Sequence, residues 1–239
     1  MNLRHGSPED VGMSSERLQK VTEAMRDWSA REGQQGAVWL AARKGVIVTH
    51  EAVGRLRPAP DSPAMALDSL FSIYSITKPI TAAAAIILVE EGRLGLNLPV
   101  SFYVPELSGE GKDAITVLHL LTHTSGMRDQ EVNEHATKVD ENVALPEPEP
   151  MQHPVIAKYL ALRWDAPLWK PPGSEMAYGE YGYNLLGEVI RRVCGQSLTR
   201  FASERIFEPL GMKDTHYGVQ RAKLERQVEY PWPNGKTWL

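Results

Sequence analysis

FSIYSITKPITAAAAIILVEEG, residues 71–92, is the stretch on which the reading of this chain turns. Between Pro79 and Val89 only Thr81 is polar, and a helix that is apolar on every side reads as a buried element. Ser75 and Lys78 stand one helical turn apart at its mouth, so a hydroxyl and an amine enter the core together. Lysine is rarely buried without a partner. An amine in low dielectric gives up its proton more readily, which is how a lysine becomes the base for a neighbouring serine near neutral pH. A Ser-x-x-Lys match alone is weak, since about one is expected by chance in a chain of this length. A capping serine followed by a solvated lysine would look the same. The apolar run behind the pair favours the nucleophile-and-base reading. Pro79 agrees with a helix starting at or just after Ser75, because an N–H in the first turn has no intrahelical acceptor.

A chain of 239 residues can bury one substantial core, with room for a small second lobe. Hydrophobic content of 42%, charged content of 23% and a formal charge of -4 are those of a globular protein and give no reason to expect nucleic acid or an anionic membrane as partner. The opening MNLRHGSPEDVGMS holds no apolar stretch of signal-peptide type, and the longest apolar run is too short to span a bilayer. The expectation is a cytoplasmic chain. Cys194, the single cysteine, has no partner for an internal disulfide or a metal site, and reads as a buried, inert thiol in a helical pattern.

Along the chain, a first helix is expected from Ser14 or Ser15 as cap to near Gly33, with Leu18, Val21, Met25 and Trp28 on one stripe. AVWLAARKGVIVTHEAVG, residues 37–54, reads as a hairpin turning at Arg43, Lys44 and Gly45. A Pro-rich connection leads to the Ser75 helix. ITVLHLLTH follows as a short helix capped by Thr116, and two further helices are expected from about Tyr183 to Cys194 and, capped by Ser197, to Phe207. Residues 128–173 read as one long irregular surface loop, because the alternating Pro and Glu of LPEPEP oppose both helix and central strand. Such a loop is either a lid or a solvated excursion. His119 and His123 stand four apart on a short helix, but without a third ligand they read as structural, with His123 and Thr124 tying the helix end to the Gly126 turn.

FSIYSITKPITAAAAIILVEEGRL, ITVLHLLTHTSGM, PLWKPPGSEMAYGEYGYNLLGEVI and SLTRFASERIFEPLGMKDT, in this order, resemble the serine β-lactamase and penicillin-binding-protein-like superfamily, in its class C-like branch with the family VIII carboxylesterases. The resemblance covers most of the chain from about residue 10 to 217. It implies an α+β, β-lactamase-like fold in which an antiparallel sheet flanked by helices lies beside an all-helical lobe, with the active site between them. The expected organisation is a single domain over 1–239, with helix and sheet hairpin in 1–74 and a mainly helical lobe in 75–239. By resemblance Ser75 matches the acylated nucleophile, Lys78 its base, and Tyr178, in AYGEYGYNLLG, the tyrosine that relays protons. Tyr181 and Tyr183 lie close enough to compete with Tyr178 for that role.

Two departures stand out. Where the family carries Tyr-x-Asn, this chain has Tyr178, Gly179 and Glu180. A carboxylate there would favour protonated Lys78 and repel an anionic substrate, which argues against β-lactams and for a neutral ester, unless Glu180 points to solvent. Family members also continue past the PLGM block with strands carrying a third motif and the second oxyanion donor. NGKTW is not that motif, and the loss of one oxyanion donor costs about 100- to 1000-fold in rate. The sheet is therefore expected to be incomplete, with an unpaired edge, and the chain to be a fragment that pairs with its own copy or with a complementing C-terminal chain. The resulting expectation is a serine hydrolase acting on small-molecule carboxylic esters without metal or cofactor. The alternatives are a β-lactamase, peptidase or acyltransferase of the same fold and, from another class, a silent remnant with a binding role.

Overall fold

The computed structural model describes residues 3–31, 35–139, 145, 147–218, 220–231 and 237–238. Gly33 and most of NGKTW, on which two expectations fell, lie outside the described residues. The chain divides into two units, Met1–Ser72 with Gly218–Leu239, and Ile73–Tyr217.

In the first unit, α1 (Ser15–Ser29) starts where Ser14 Oγ accepts the N–H of Arg17 at 3.3 Å, the bond a capping serine makes. It packs on the hairpin of β2 (Gly36–Arg43) and β3 (Val46–Gly54), which pair antiparallel. Lys44 and Gly45 join them, both with positive φ (51° and 77°), the conformation a two-residue turn needs to match the strands' twist. β1 (Arg4–His5) runs parallel to β3, so the order is β1-β3-β2 with β2 at an edge. β4 (Tyr230–Pro231) and β5 (Thr237–Trp238) form a separate antiparallel pair. A small core gathers Leu56, Met65 and Val228, with Val38, Ala52 and Phe71 packed against it. Of the apolar stripe expected on α1, only half turns inward. Thr22 is the residue the helix buries, Leu18 and Met25 are half-buried, and Val21 and Trp28 are 43% and 38% exposed. The contact with the hairpin is centred on a side about one residue, or 100°, away from Val21.

The second unit contains α2 (Thr77–Glu90), α3 (Val117–Leu121), α4 (Asp129–Ala136), α5 (Pro154–Ala161), α6 (Tyr181–Cys194) and α7 (Leu198–Ala202), the last continued by a π-turn at Ser203–Phe207. α6 is the hub. Its Tyr181, Leu185, Leu186, Val189 and Ile190 are fully buried and meet Ala84, Ala85 and Leu88 of α2. Thr81, the one polar residue in the apolar run, is buried but satisfied, by the Thr77 carbonyl at 3.2 Å and the Tyr217 hydroxyl at 2.9 Å. The α2 helix is not buried on every side: Pro79, Ala83, Ile86 and Glu90 face out. Its small alanines suit close helix packing on one face, and that face alone is covered.

The segment 128–173 also departs from the expectation of one irregular loop, since it holds α4 and α5. Arg128 to Ala136 precedes the Pro-rich part, where nothing opposes a helix, and Pro154 sits in the first turn of α5, where proline is tolerated. Residues 140–144 and 146 lie outside the described residues. The end of LPEPEP, at Glu149 and Pro150, is fastened to α6 by an ionic cluster in which Glu188 and Arg191 are buried. Arg191 donates to Glu188 at 2.7 and 2.9 Å, to Glu149 at 2.5 Å and to the Pro150 carbonyl at 2.9 Å, and Arg192 donates to Glu188 at 2.7 Å and to Glu106 at 2.8 and 2.9 Å. Burial alone would raise the Glu188 carboxyl, but hydrogen bonds from Arg191 and Arg192 outweigh it and hold the group below its ordinary value. Glu188→Gln should therefore destabilise the protein by about 1–3 kcal/mol, because it weakens charge-assisted hydrogen bonds while Arg191 keeps Glu149 and Arg192 keeps Glu106. Because the native value is depressed, this stabilisation is present at neutral pH and is lost as pH falls through the native pKa, below the ordinary 4.5. Urea unfolding at neutral pH should show the gap, and the gap should narrow on acidification.

Candidate active site

Ser75 lies in a single 3-10 turn, Tyr74–Ile76, that leads into α2. It does not cap the helix. Ile76 holds the cap position and no side chain bonds there, so the Ser75 oxygen is left for another partner. That partner is Lys78, whose Nζ donates to Ser75 Oγ at 3.2 Å. Tyr74, immediately before the serine, has a φ of 44°; a bulky residue in the left-handed region stores roughly 1–3 kcal/mol and persists only where its surroundings hold it. Ser75 is exposed and Lys78 half-buried, as a nucleophile and its neighbour at a surface would be.

Three tyrosines compete for the place beside the amine, and their environments separate them. Tyr181 is fully buried, donates to the Arg163 carbonyl at 3.4 Å and has its phenol pushed up by burial. Tyr183 donates to the Leu121 carbonyl at 3.2 Å and is likewise pushed up, by burial first and then by Tyr178. Tyr178 is 58% exposed, and hydrogen bonding to Ser75 and then to Lys78 holds its phenol below the ordinary value. Its ring centre lies 4.8 Å from Lys78 Nζ, against 5.8 Å for Tyr183. Ser75, Lys78 and Tyr178 are thus brought together from a turn, a helix and a loop 100 residues apart in sequence (178 − 78).

Two side chains that sequence reading did not place at this site hold the Tyr178 segment. Asp129 Oδ2 accepts the N–H of Glu180 at 2.7 Å and Oδ1 that of Tyr181 at 3.0 Å, capping α6 from outside where Glu180 itself makes no capping bond. A carboxylate at a helix N-terminus also meets the favourable end of the helix dipole. A Cβ at Gly179 would lie 2.7 Å from Asp129 Oδ1, so any larger residue there would push the capping carboxylate aside. His123, expected to tie the helix end to the Gly126 turn, reaches instead toward the tyrosines, with ring centres 4.6 Å from Tyr178 and 5.0 Å from Tyr183. His119 turns the other way. Its Nδ1 accepts the Thr116 N–H at 3.2 Å while Thr116 Oγ1 accepts the His119 N–H at 3.3 Å, a reciprocal cap of α3. Among the described residues no cluster of three His, Cys, Asp or Glu is placed to hold a metal ion. Glu180 is exposed, and among the described residues no carboxylate pairs with Lys78; the Glu180 charge acts instead on Tyr178, weakly opposing its ionisation. Cys194 is half-buried, with burial pushing its thiol up.

A helical unit centred on α2 and α6, with a serine and lysine at the head of α2, and a second unit of sheet and outer helix make up a β-lactamase-like α+β fold. The solved structure of a class C beta-lactamase matches at a TM-score of 0.73 and 20% identity, covering 95% of this chain and 58% of its own. Residues 19–239 match the beta-lactamase family, and the chain belongs to it. Esterase EstB of Burkholderia gladioli is 32% identical over 234 residues, 96% of this chain and 58% of that protein. Penicillin-binding protein 4* of Bacillus subtilis (strain 168) is 29% identical over 199 residues, 81% of this chain and 40% of that protein. The chain therefore spans about half the length of these relatives. No helix among the described residues is long and apolar enough to cross a membrane.

Proposed function

We propose that the chain is a cytoplasmic serine hydrolase acting on small-molecule carboxylic esters, with Ser75 as nucleophile, Lys78 as its base and Tyr178 as proton relay. The observation that carries the reading is the 3.2 Å contact between Lys78 Nζ and Ser75 Oγ, with the Tyr178 ring centred 4.8 Å from the same Nζ and its phenol held below the ordinary value. In the contact as it stands the amine donates. With Lys78 neutral the bond reverses, and Ser75 gives its proton to Nζ as Oγ attacks the ester carbonyl. The tetrahedral adduct then expels the alkoxide, which takes a proton from Tyr178, and Tyr178 recovers one from Lys78. Water, deprotonated along the same route, releases the carboxylic acid and frees Ser75. The protons that accompany bond making and breaking pass between Ser75, Lys78, Tyr178 and the substrate, and no metal or cofactor enters the scheme.

Two observations favour esters over β-lactams. Esterase EstB is similar over nearly the whole chain. Glu180 leaves Lys78 unpaired, but its exposed carboxylate two residues from Tyr178 still adds negative charge that an anionic substrate would meet.

Intact-mass spectrometry after incubation with a fluorophosphonate tests the reading. One adduct per chain is expected, and its absence on a folded chain would sink the enzymatic reading in favour of a binding role. Tyr178→Phe adds a finer check. An alkyl ester has a poor leaving group that needs the relayed proton, so its hydrolysis should fall by about 100- to 10,000-fold. A p-nitrophenyl ester, whose leaving group departs unprotonated, should lose much less. Equal losses on both would mean that Tyr178 does not serve the leaving group.

A further inference from the structure

His123 makes contacts on both sides of Tyr178. Its carbonyl accepts the N–H of Ala177 at 2.9 Å, and its Nδ1 accepts the N–H of Gly179 at 3.4 Å, so one residue holds the amides of the two residues on either side of Tyr178. Its ring lies against the Tyr178 ring. It does this from a φ of 58°, a left-handed conformation that is strained for a residue with a Cβ. Two hydrogen bonds at the end of α3, His123 N–H to the Leu120 carbonyl at 3.3 Å and Thr124 N–H to the His119 carbonyl at 2.9 Å, fix the turn that puts it there. Maintained strain beside reacting groups is a reason to look for a role.

We propose that His123, as the neutral imidazole, is the positioning residue for the Tyr178 phenol, and that protonation of its Nδ1 releases Tyr178 and switches the site off at acid pH. The inference rests on the hydrolase reading above for its activity readout, but its geometry stands apart from it. Only an unprotonated Nδ1 can accept the Gly179 N–H. Once protonated, it presents a donor to a donor, and a second cation appears beside Lys78.

The groups that face the imidazole are Lys78 from α2, Tyr178 from its loop, Tyr183 from α6 and Asp129 from α4. Burial, and then the Lys78 charge, hold His123 below its ordinary value of 6.5, with Asp129 opposing. The ring is therefore neutral at neutral pH, and the switch falls on the acid side of 6.5. A displacement of Tyr178 of about 1 Å is enough to slow a step that depends on its placement by about 100-fold.

The test compares wild type with His123→Gly and His123→Asn. Glycine adopts the left-handed turn without strain but removes the acceptor, whereas the Asn Oδ1 can replace Nδ1, tolerates the same φ and does not titrate. The rate of alkyl-ester hydrolysis, the reaction that needs the Tyr178 proton, is followed between pH 4.5 and 8. His123→Gly should be slowed by about 10- to 100-fold at pH 7.5 with unfolding unchanged, and His123→Asn should recover most of that loss. On the acid side of 6.5 the wild-type rate should fall as His123 gains its proton, and His123→Asn should lose that acid limb. Wild-type rates and an unchanged acid limb in both variants would overturn the proposal and leave His123 as a helix-end residue. In parallel, NMR titration of the wild type should show the Gly179 amide and the Tyr178 ring shifting with the His123 midpoint. This second readout does not depend on turnover. If the wild type forms no adduct, the hydrolase reading fails by itself, and co-titration or its absence still decides the positioning role.

Discussion

Ser75→Ala is expected to remove the fluorophosphonate adduct completely and to lower ester turnover by at least about 10,000-fold, the scale seen when the nucleophile of a catalytic unit is deleted. The serine is exposed and does not cap the helix it precedes, so the loss should come with no change in unfolding. Lys78→Ala should be nearly as damaging to turnover, because without the amine the Ser75 hydroxyl keeps its proton. The double variant should be no worse than either single one, since residues that act as a unit are not additive. Lys78→Ala also makes a prediction about the fold. Lys78 has no carboxylate partner among the described residues, and its contacts with the Ser75 hydroxyl and the exposed Tyr178 ring are worth about 1 kcal/mol or less, so its removal should move the unfolding midpoint little. Adduct formation in Lys78→Ala at the wild-type rate would mean that another group takes the serine proton, and the 3.2 Å contact would then be incidental to the chemistry.

What the sequence could show and what it could not divide along contact range. The hairpin turn at Lys44 and Gly45, the Ser14, Thr116 and Ser197 caps, and the three-residue spacing that brings Lys78 to Ser75 are all decided within a few residues, and they were legible. The buried face of α1 was only half legible because a stripe of Leu18, Val21, Met25 and Trp28 is readable, whereas the side that the hairpin touches, centred on Thr22, is set by the partner and not by the helix. The two helices inside 128–173 were missed because the prolines of LPEPEP coloured the reading of neighbours they do not constrain. Tyr178 was singled out by resemblance. What distinguishes it physically from Tyr181 and Tyr183 is burial and a hydrogen-bonding neighbour, and neither is a property of the local sequence. His123 and Asp129 join residues 179 and 180 across gaps of more than fifty positions. The one hint of their importance was the compactness of HTSGMRD, where a glycine turn brings a histidine and an aspartate within seven residues.

Gly126→Ala should be the most damaging single methyl group in the second unit. Gly126 has a φ of 78°, and a Cβ there would lie 2.1 Å from the backbone carbonyl oxygen of Lys170, which no rotamer change can relieve. Left-handed strain of about 1–3 kcal/mol and overpacking of about 1–3 kcal/mol together give a loss of about 2–6 kcal/mol. Gly92 supplies the contrast. It has a φ of 70° but nothing within 4 Å of its added methyl, so Gly92→Ala should carry the strain alone. Urea unfolding of the two variants separates the contributions, and equal midpoints would show that the Gly126–Lys170 approach is not as close as described. The effect should also reach the site. Gly126 accepts the Trp169 N–H at 2.8 Å, the Thr124 carbonyl accepts the Gly173 N–H at 2.8 Å and the His123 carbonyl accepts the Ala177 N–H at 2.9 Å, so residues 123–126 and 169–177 are laced together as far as the residue before Tyr178. Separating them at Gly126 loosens the lacing from its far end. A Gly126→Ala protein that remains folded at low temperature should therefore keep the Ser75–Lys78 contact, which is local to the Tyr74–Ile76 turn and the start of α2, yet behave toward alkyl esters as Tyr178→Phe does.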